Sequence, residues 1–100
     1  MNVEPLSQAE ITNFTDNHKD WQYQDNSLQS IFTFHDFKQA LGFMNEAGEL
    51  AESLQHHPEW CNVYNRVNVT LKTHDAGDVV TTLDCQLATA ISELVEKYRS

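Results

Sequence analysis

The hydrophobic positions of the chain change their spacing several times, and each spacing predicts a different element. Helical spacing behind the capping-box pair Ser7 and Glu10 predicts a first helix over about residues 8–18. Apolar and polar residues then alternate, which predicts a hairpin with strands over 21–24 and 28–34 on either side of the turn formers Gln-Asp-Asn-Ser. The chain is therefore expected to begin with a helix and two strands.

A longer helical pattern follows, from residue 36 to about residue 55. Asp36 suits its first turn, because a carboxylate there meets the positive end of the helix. Phe43 and Leu50 lie off the main apolar stripe, so a second apolar face is predicted, such as one that packs against another subunit. The main stripe consists of Phe37, Ala40, Leu41, Met44, Ala47, Gly48, Ala51 and Leu54.

The last part of the chain alternates again and then returns to helical spacing. Residues 63–73 predict a β region with a break near Asn65 that would divide it into two strands. The apolar face of this region is predicted to contain Val63, Val67, Val69 and Leu71. A final helix is predicted to open at Thr81, with an inner stripe of Leu87, Ala90, Ile91, Leu94 and Val95.

The resulting order, α-β-β-α-β-β-α, predicts an α+β fold. A single antiparallel sheet of about four strands, with three helices packed on one face, is the arrangement that buries all these apolar stripes. Because the chain has only 100 residues, we expect one domain over residues 1–100.

Composition narrows the classes of function. Fifteen acidic residues against six basic ones give a formal net charge of −9, and no basic stripe is present, so direct nucleic-acid binding is not expected. No apolar run of about 18 residues exists to span a membrane. The N-terminus lacks the pattern of a signal peptide, which predicts a cytoplasmic protein with Cys61 and Cys85 as reduced thiols.

Two adjacent histidines before a proline are the first candidate for chemistry. Pro58 disfavours helical geometry at His57, so the second helix is expected to end near His56. Glu52, four residues before His56 on the same helix face, is expected to hold that imidazole. His57 would leave the helix and be free to act as a base, while His56 would be suited to act as an acid.

Each of these residues also has a purely structural interpretation. A histidine pair at a helix end can simply cap carbonyl groups, and His74 can be a solvent-facing residue at the end of a strand. Asp84 stands at the third helical position after Thr81, where it can complete a capping box. A metal site is not predicted, because neighbouring helical residues diverge by about 100° and no third ligand is evident.

Taken together, these residues resemble the signature of the pterin-4a-carbinolamine dehydratase family. The signature runs Glu52-x-x-x-His56-His57-Pro58, continues to Tyr64 and His74, and ends at Asp84. Further similarity lies in DFKQALGFM at 36–44, HHPEWCNVYNRVNVTL at 56–71, TH at 73–74 and DCQLA at 84–88. The chain departs from the family pattern at Lys72, where a smaller residue is expected, and at Cys61.

The resemblance implies a hydro-lyase that converts 4a-hydroxytetrahydropterin to quinonoid dihydropterin. This reaction recycles the pterin cofactor of aromatic amino acid hydroxylases, and the family uses neither a metal nor an organic cofactor. The catalytic residues so implied are His56, His57, His74 and Asp84. The substrate-binding residues so implied are Glu52, Pro58, Trp60, Thr73 and Asp75.

Imidazole can serve both proton transfers of such a dehydration, because it titrates near neutrality. We expect His74 to be the acid at the leaving hydroxyl, His57 to take or relay the N5 proton, and His56 to orient the ring. The resemblance also implies a small-molecule pterin substrate and assembly as a homodimer or homotetramer. The alternatives are a non-enzymatic interaction or coactivator module on the same fold, and a small metal-binding protein.

Overall fold

The computed structural model describes residues 4–99, so residues 1–3 and 100 of the predicted domain lie outside it. Along the chain it contains α1 (Gln8–Asn17), β1 (Gln22–Gln24), β2 (Ser27–Thr33), α2 (Phe37–Ser53), β3 (Glu59–Val63), β4 (Arg66–Leu71), a 3₁₀ turn (His74–Ala76) and α3 (Thr82–Arg99). Within this range the four strands form one antiparallel sheet in the order β1-β2-β4-β3. The predicted α+β fold with three helices is confirmed.

Local capping interactions start the first two helices where the sequence predicts them. At α1 the Ser7 hydroxyl accepts from the Glu10 amide at 3.1 Å, and the Ser7 amide donates to the Glu10 carboxylate at 2.9 Å. At α2 the Asp36 carboxylate accepts from the amide of Gln39 at 2.8 Å. These side chains satisfy amides that have no partner inside a helix, so the start of each helix is encoded locally.

The core lies between the sheet and the helices, and alternation along the strands determines its membership. Leu28 and Phe32 of β2 and Val67, Val69 and Leu71 of β4 are almost completely buried. Val63 is 55% exposed, contrary to the prediction that it shares their face. It is paired across the β3–β4 turn with Arg66, and directly paired residues point to the same side of a sheet.

The apolar face of α2 is rotated relative to the predicted stripe. Phe43 is fully buried, because its ring packs against Phe34, which directly follows β2, at a centroid distance of 4.9 Å and against Tyr98 of α3 at 6.4 Å. The predicted outward apolar face at Phe43 is therefore wrong, and Leu50 is half-buried against the core. Phe37 and Leu41, predicted inside, are 46% and 45% exposed.

Helix length and hydropathy bear on whether any element could span a bilayer. None of the helices within residues 4–99 is long and apolar enough to cross a membrane.

Candidate functional site

The end of α2 positions the histidine pair. Gln55 adopts a left-handed backbone conformation with φ of 53°, and its amide donates to the Glu52 carbonyl at 3.1 Å. The amide of His56 donates to the Ala51 carbonyl at 3.0 Å. These two bonds form a Schellman motif, which ends the helix and reverses the chain direction. The helix thus ends before His56, a few residues earlier than predicted.

The reversal gives the two histidines different carboxylate partners from those predicted. Nε2 of His56 lies 2.5 Å from Oδ1 of Asp84, at the start of α3. Glu52, which was expected to hold His56, instead lies 3.3 Å from Nε2 of His57. The left-handed residue explains the exchange, because it turns His56 inwards towards α3 and leaves His57 beside the last turn of α2.

Asp84 serves as both a helix cap and the partner of His56. Its carboxylate is fully buried, and Oδ2 accepts from the backbone amide of Thr81 at 2.9 Å. The same oxygen accepts from the hydroxyl of Thr73 at 2.8 Å, while Oδ1 faces His56. The capping contact and the contact with His56 are therefore compatible in one carboxylate. Both oxygens have hydrogen-bond partners, and Asp84 does not line the cleft.

His74 lies on a tight loop and not at a strand end, as the sequence had suggested. β4 ends at Leu71, and His74 opens the 3₁₀ turn. Gly77 and Asp78 both have positive φ angles, of 95° and 59°, which fold the loop back so that Nδ1 of His74 contacts the Asp78 carboxylate. Asp78 was not among the predicted site residues, although its position four residues after His74 was a signal that could have identified it.

Six of the nine predicted site residues line two adjoining clefts. The first has a volume of about 190 Å³ and is lined by Gln55, His56, His57, Lys72, Thr73, His74, Asp75 and Leu83. The second has a volume of about 210 Å³ and is lined by His57, Pro58, Glu59, Thr70, Lys72 and His74. All three candidate histidines therefore border one surface depression, and His57, Lys72 and His74 are common to both parts.

Two of the predicted substrate-binding residues do not line these clefts. Trp60 lies on the helix side of β3, where its ring comes within 4.0 Å of the position that a Cβ would take on Gly48 of α2. Glu52 is largely exposed beside His57. Lys72 lines both clefts and was not predicted as a site residue, although its departure from the family pattern drew attention to it.

A larger groove lies on the sheet and is lined mainly by residues that do not ionise. It has a volume of about 400 Å³, and among the described residues that line it only Asp20 is ionisable. Most of its surface is the outer side of the sheet, with Gln22, Gln24, Gln29, Asn68 and Thr70. The histidine-lined clefts are smaller but contain the titratable groups, so they are the better candidate for a reaction site. Among residues 4–99 no cluster of three or more His, Cys, Asp or Glu residues is arranged to hold a metal ion.

Comparison with known proteins identifies the family of this chain. The model of the family described as pterin 4 alpha carbinolamine dehydratase matches residues 4–94. A relative from Sulfurisphaera tokodaii, provisionally named pterin-4-alpha-carbinolamine dehydratase, is 42% identical over 93 residues, covering 93% of this chain and 99% of its own. A relative of the same provisional name from Rhizorhabdus wittichii is 43% identical over 98 residues, covering 96% of this chain and 100% of its own.

A solved structure has the same fold as this chain. The crystal structure of a transcriptional coactivator/pterin dehydratase from Brucella melitensis superposes with a TM-score of 0.86 at 40% identity, covering 91% of this chain and 98% of that one. The match extends over nearly the whole chain in sequence and in fold. The chain therefore belongs to the pterin 4 alpha carbinolamine dehydratase family, a family of hydro-lyases.

Proposed function

We propose that this protein dehydrates 4a-hydroxytetrahydropterin to quinonoid dihydropterin by histidine acid–base catalysis. In this reaction the C4a–O and N5–H bonds break, a C4a=N5 double bond forms, and the hydroxyl leaves as water after gaining a proton. One group must deliver a proton and another must remove one. The observation that carries the proposal is that His56, His57 and His74 border one cleft.

The different burial of the histidines supports a division of roles. His74 and His57 are exposed and each contacts a carboxylate, from Asp78 and Glu52 respectively, so both can exchange protons with solvent between turnovers. We assign His74 as the acid at the leaving hydroxyl and His57 as the group that takes or relays the N5 proton. Buried His56, fixed by Asp84, would orient the pterin ring. Each positioned proton transfer is typically worth about 10²–10⁴-fold in rate.

The experiment follows the ultraviolet absorbance of freshly generated 4a-hydroxytetrahydropterin with and without the protein. We expect His57→Ala and His74→Ala each to lower kcat by about 10²-fold or more. Both side chains are exposed, so the variants should remain folded. His35→Ala is the matched control, since His35 is exposed and does not line either cleft. Unchanged turnover in both cleft variants would end the acid–base assignment.

A broader role for the reaction follows from the same proposal. The product would be reduced again and serve as the cofactor of aromatic amino acid hydroxylases, so the enzyme would act in pterin recycling. A cytoplasmic location stays a prediction.

A second candidate function is protein interaction. The Brucella melitensis protein is described as a transcriptional coactivator as well as a pterin dehydratase. In this chain Phe37 and Leu41, one turn apart on α2, are the exposed large apolar side chains of that helix and could bind a second copy or another protein. Substitution of Leu41 by Glu should abolish such binding and leave pterin dehydration intact, whereas His74→Ala should do the reverse.

A further inference from the structure

Two buried threonines surround the Asp84 carboxylate at the start of α3. Thr73 and Thr81 are 4% and 0% exposed, and their Oγ1 atoms lie 2.8 Å apart. Oγ1 of Thr73 also lies 2.8 Å from Oδ2 of Asp84, and Oγ1 of Thr81 accepts from the backbone amide of Leu83 at 3.2 Å. The two hydroxyls thus form a continuous path between a helix N-terminus and the carboxylate that contacts His56.

The direction of each hydrogen bond along this path is determined by counting protons. An ionised carboxylate can only accept, so the single hydroxyl proton of Thr73 is donated to Asp84. Thr73 must then accept from Thr81 in the bond between the two hydroxyls. Thr81 has its own acceptor lone pair occupied by the amide of Leu83, which is consistent with this direction.

The same counting determines the tautomer of His56. Oδ2 of Asp84 receives two donors, the Thr73 hydroxyl and the Thr81 amide, so Oδ1 remains to accept from His56. Nε2 of His56 must therefore carry a hydrogen. No buried side-chain nitrogen or oxygen within residues 4–99 lacks a hydrogen-bond partner. Nδ1 of His56 has no such partner, so this atom is accessible to solvent, and His56 itself lines the cleft.

We propose that Thr73 and Thr81 are positioning residues, which orient the Asp84 carboxylate and so fix His56 as the tautomer that presents Nδ1 to the pterin. Thr73, which the resemblance placed among substrate-binding residues, would then act through Asp84 and not by contact with substrate. Thr81 acquires a role beyond capping α3. The effect on turnover rests on the proposed dehydration, whereas the effect on the tautomer does not.

The proposal makes an unusual prediction for Asp84→Asn. An amide has one oxygen, and the two donors on the Oδ2 side require that oxygen to face them. The NH₂ group would then point at His56, so Nε2 must become an acceptor and the hydrogen must move to Nδ1. In the Ser-His-Asp triad the same exchange leaves the geometry intact but lowers kcat about 10⁴-fold through the wrong tautomer.

The test is nitrogen-15 NMR of the His56 ring, at a pH where the ring is neutral, alongside kcat for each variant. We expect hydrogen on Nε2 in the unmodified protein and on Nδ1 in Asp84→Asn. In the Asp84→Asn background, Thr73→Val removes one of the two donors that orient the amide and should give a mixture of His56 tautomers. Thr73→Val alone should keep the hydrogen on Nε2, because Asp84 still only accepts, and should lower kcat about 10-fold, as expected for the loss of one hydrogen bond to a charged group. Thr73→Ser and Thr81→Ser keep the hydroxyls and should restore both signals.

Several outcomes would overturn the proposal. Hydrogen retained on Nε2 in Asp84→Asn would show that the threonine side does not control the carboxylate. A Thr73→Val protein with unchanged kcat would do the same, and if this variant does not fold, the Asp84→Asn spectrum decides alone. Failure of the proposed function is distinguishable, because the unmodified protein would then show the expected His56 tautomer without any dehydration.

Discussion

Burial separates the cleft histidines into two kinds at the scale of single residues. The side chain of His56 is 9% exposed, whereas those of His57 and His74 are 62% and 80% exposed. A buried imidazole that is fixed by a buried carboxylate keeps one orientation, which suits binding and alignment. An exposed imidazole can rotate and exchange its proton with water, which suits repeated proton transfer. The exposed pair is therefore where turnover should be most sensitive.

Buried polar groups outside the cleft obey the same rule that each needs a partner. Trp21 is 2% exposed, and its Nε1–H donates to the Ser92 hydroxyl at 2.8 Å, which in turn donates to the Asp20 carboxylate at 2.5 Å. Ser92→Ala would leave the indole N–H unpaired. We expect the free energy of unfolding to fall by about 1–3 kcal/mol, measured by urea denaturation.

A double-mutant cycle isolates that bond. In a Trp21→Phe background no indole N–H exists, so Ser92→Ala should then cost clearly less. Equal losses in both backgrounds would show that Ser92 stabilises the protein by some other contact.

The sequence predicted which histidines share a cleft better than it predicted the partners of those histidines. The three motif histidines do border one cleft, as their residue types and spacing suggested. The pairing of His56 was mispredicted, because Glu52 is near in sequence whereas Asp84 is 28 positions away. The choice depends on the left-handed conformation of Gln55, and nothing in a glutamine signals that conformation as a glycine or asparagine would.

At the scale of elements, boundaries were predictable where a cap or turn is encoded locally. The two-residue loop of Asp25 and Asn26 has positive φ at both positions, as a tight hairpin turn requires, and it lies where turn formers separate two alternating runs. The orientation of α2 was less predictable. A helical stripe seen in isolation assumes one covering surface, whereas α2 is covered by both the sheet and α3, which is why Phe43 is buried.

The stability that the contact between α2 and α3 contributes should decrease both in acid and in alkali. The hydrogen bond that the Tyr98 hydroxyl donates to Glu46 raises the pKa of the phenol to about 12 and lowers the pKa of the carboxyl. A raised phenol pKa contributes stability that is complete below the ordinary value of about 10 and is lost as pH rises towards 12. A lowered carboxyl pKa contributes stability that is lost as pH falls below the ordinary range of glutamate.

Tyr98→Phe removes this bond and gives a direct measurement. The difference in free energy of unfolding between the two proteins should be largest at intermediate pH and shrink in acid and above about pH 10. Denaturant titrations across pH would measure it, with the exposed Tyr64→Phe as control. A difference that stays constant with pH would contradict the assignment.

At the scale of the whole molecule, charge and exposed apolar surface have opposite effects on association. A formal net charge of −9 makes copies of the chain repel one another. Within residues 4–99 the large apolar side chains that are exposed are Ile31, Phe37, Leu41, Val63 and Tyr64. The sequence specifies the charge, but it does not specify which apolar surface is covered in an assembly. That choice depends on the shapes of two surfaces, which spacing along one chain does not define.

The predicted homodimer or homotetramer can be tested by changing the exposed apolar surface and by screening the net charge. If α2 forms the contact, Leu41→Glu places a charge in a buried apolar interface and should shift the protein to monomers in sedimentation experiments. Ile31→Glu is the matched control, because Ile31 is also a large, exposed apolar residue but lies on the outer face of the sheet. Association of the unmodified protein should also strengthen from low to moderate salt, as screening reduces the repulsion between acidic copies. Dissociation by Ile31→Glu and not by Leu41→Glu would move the interface from the helix to the sheet.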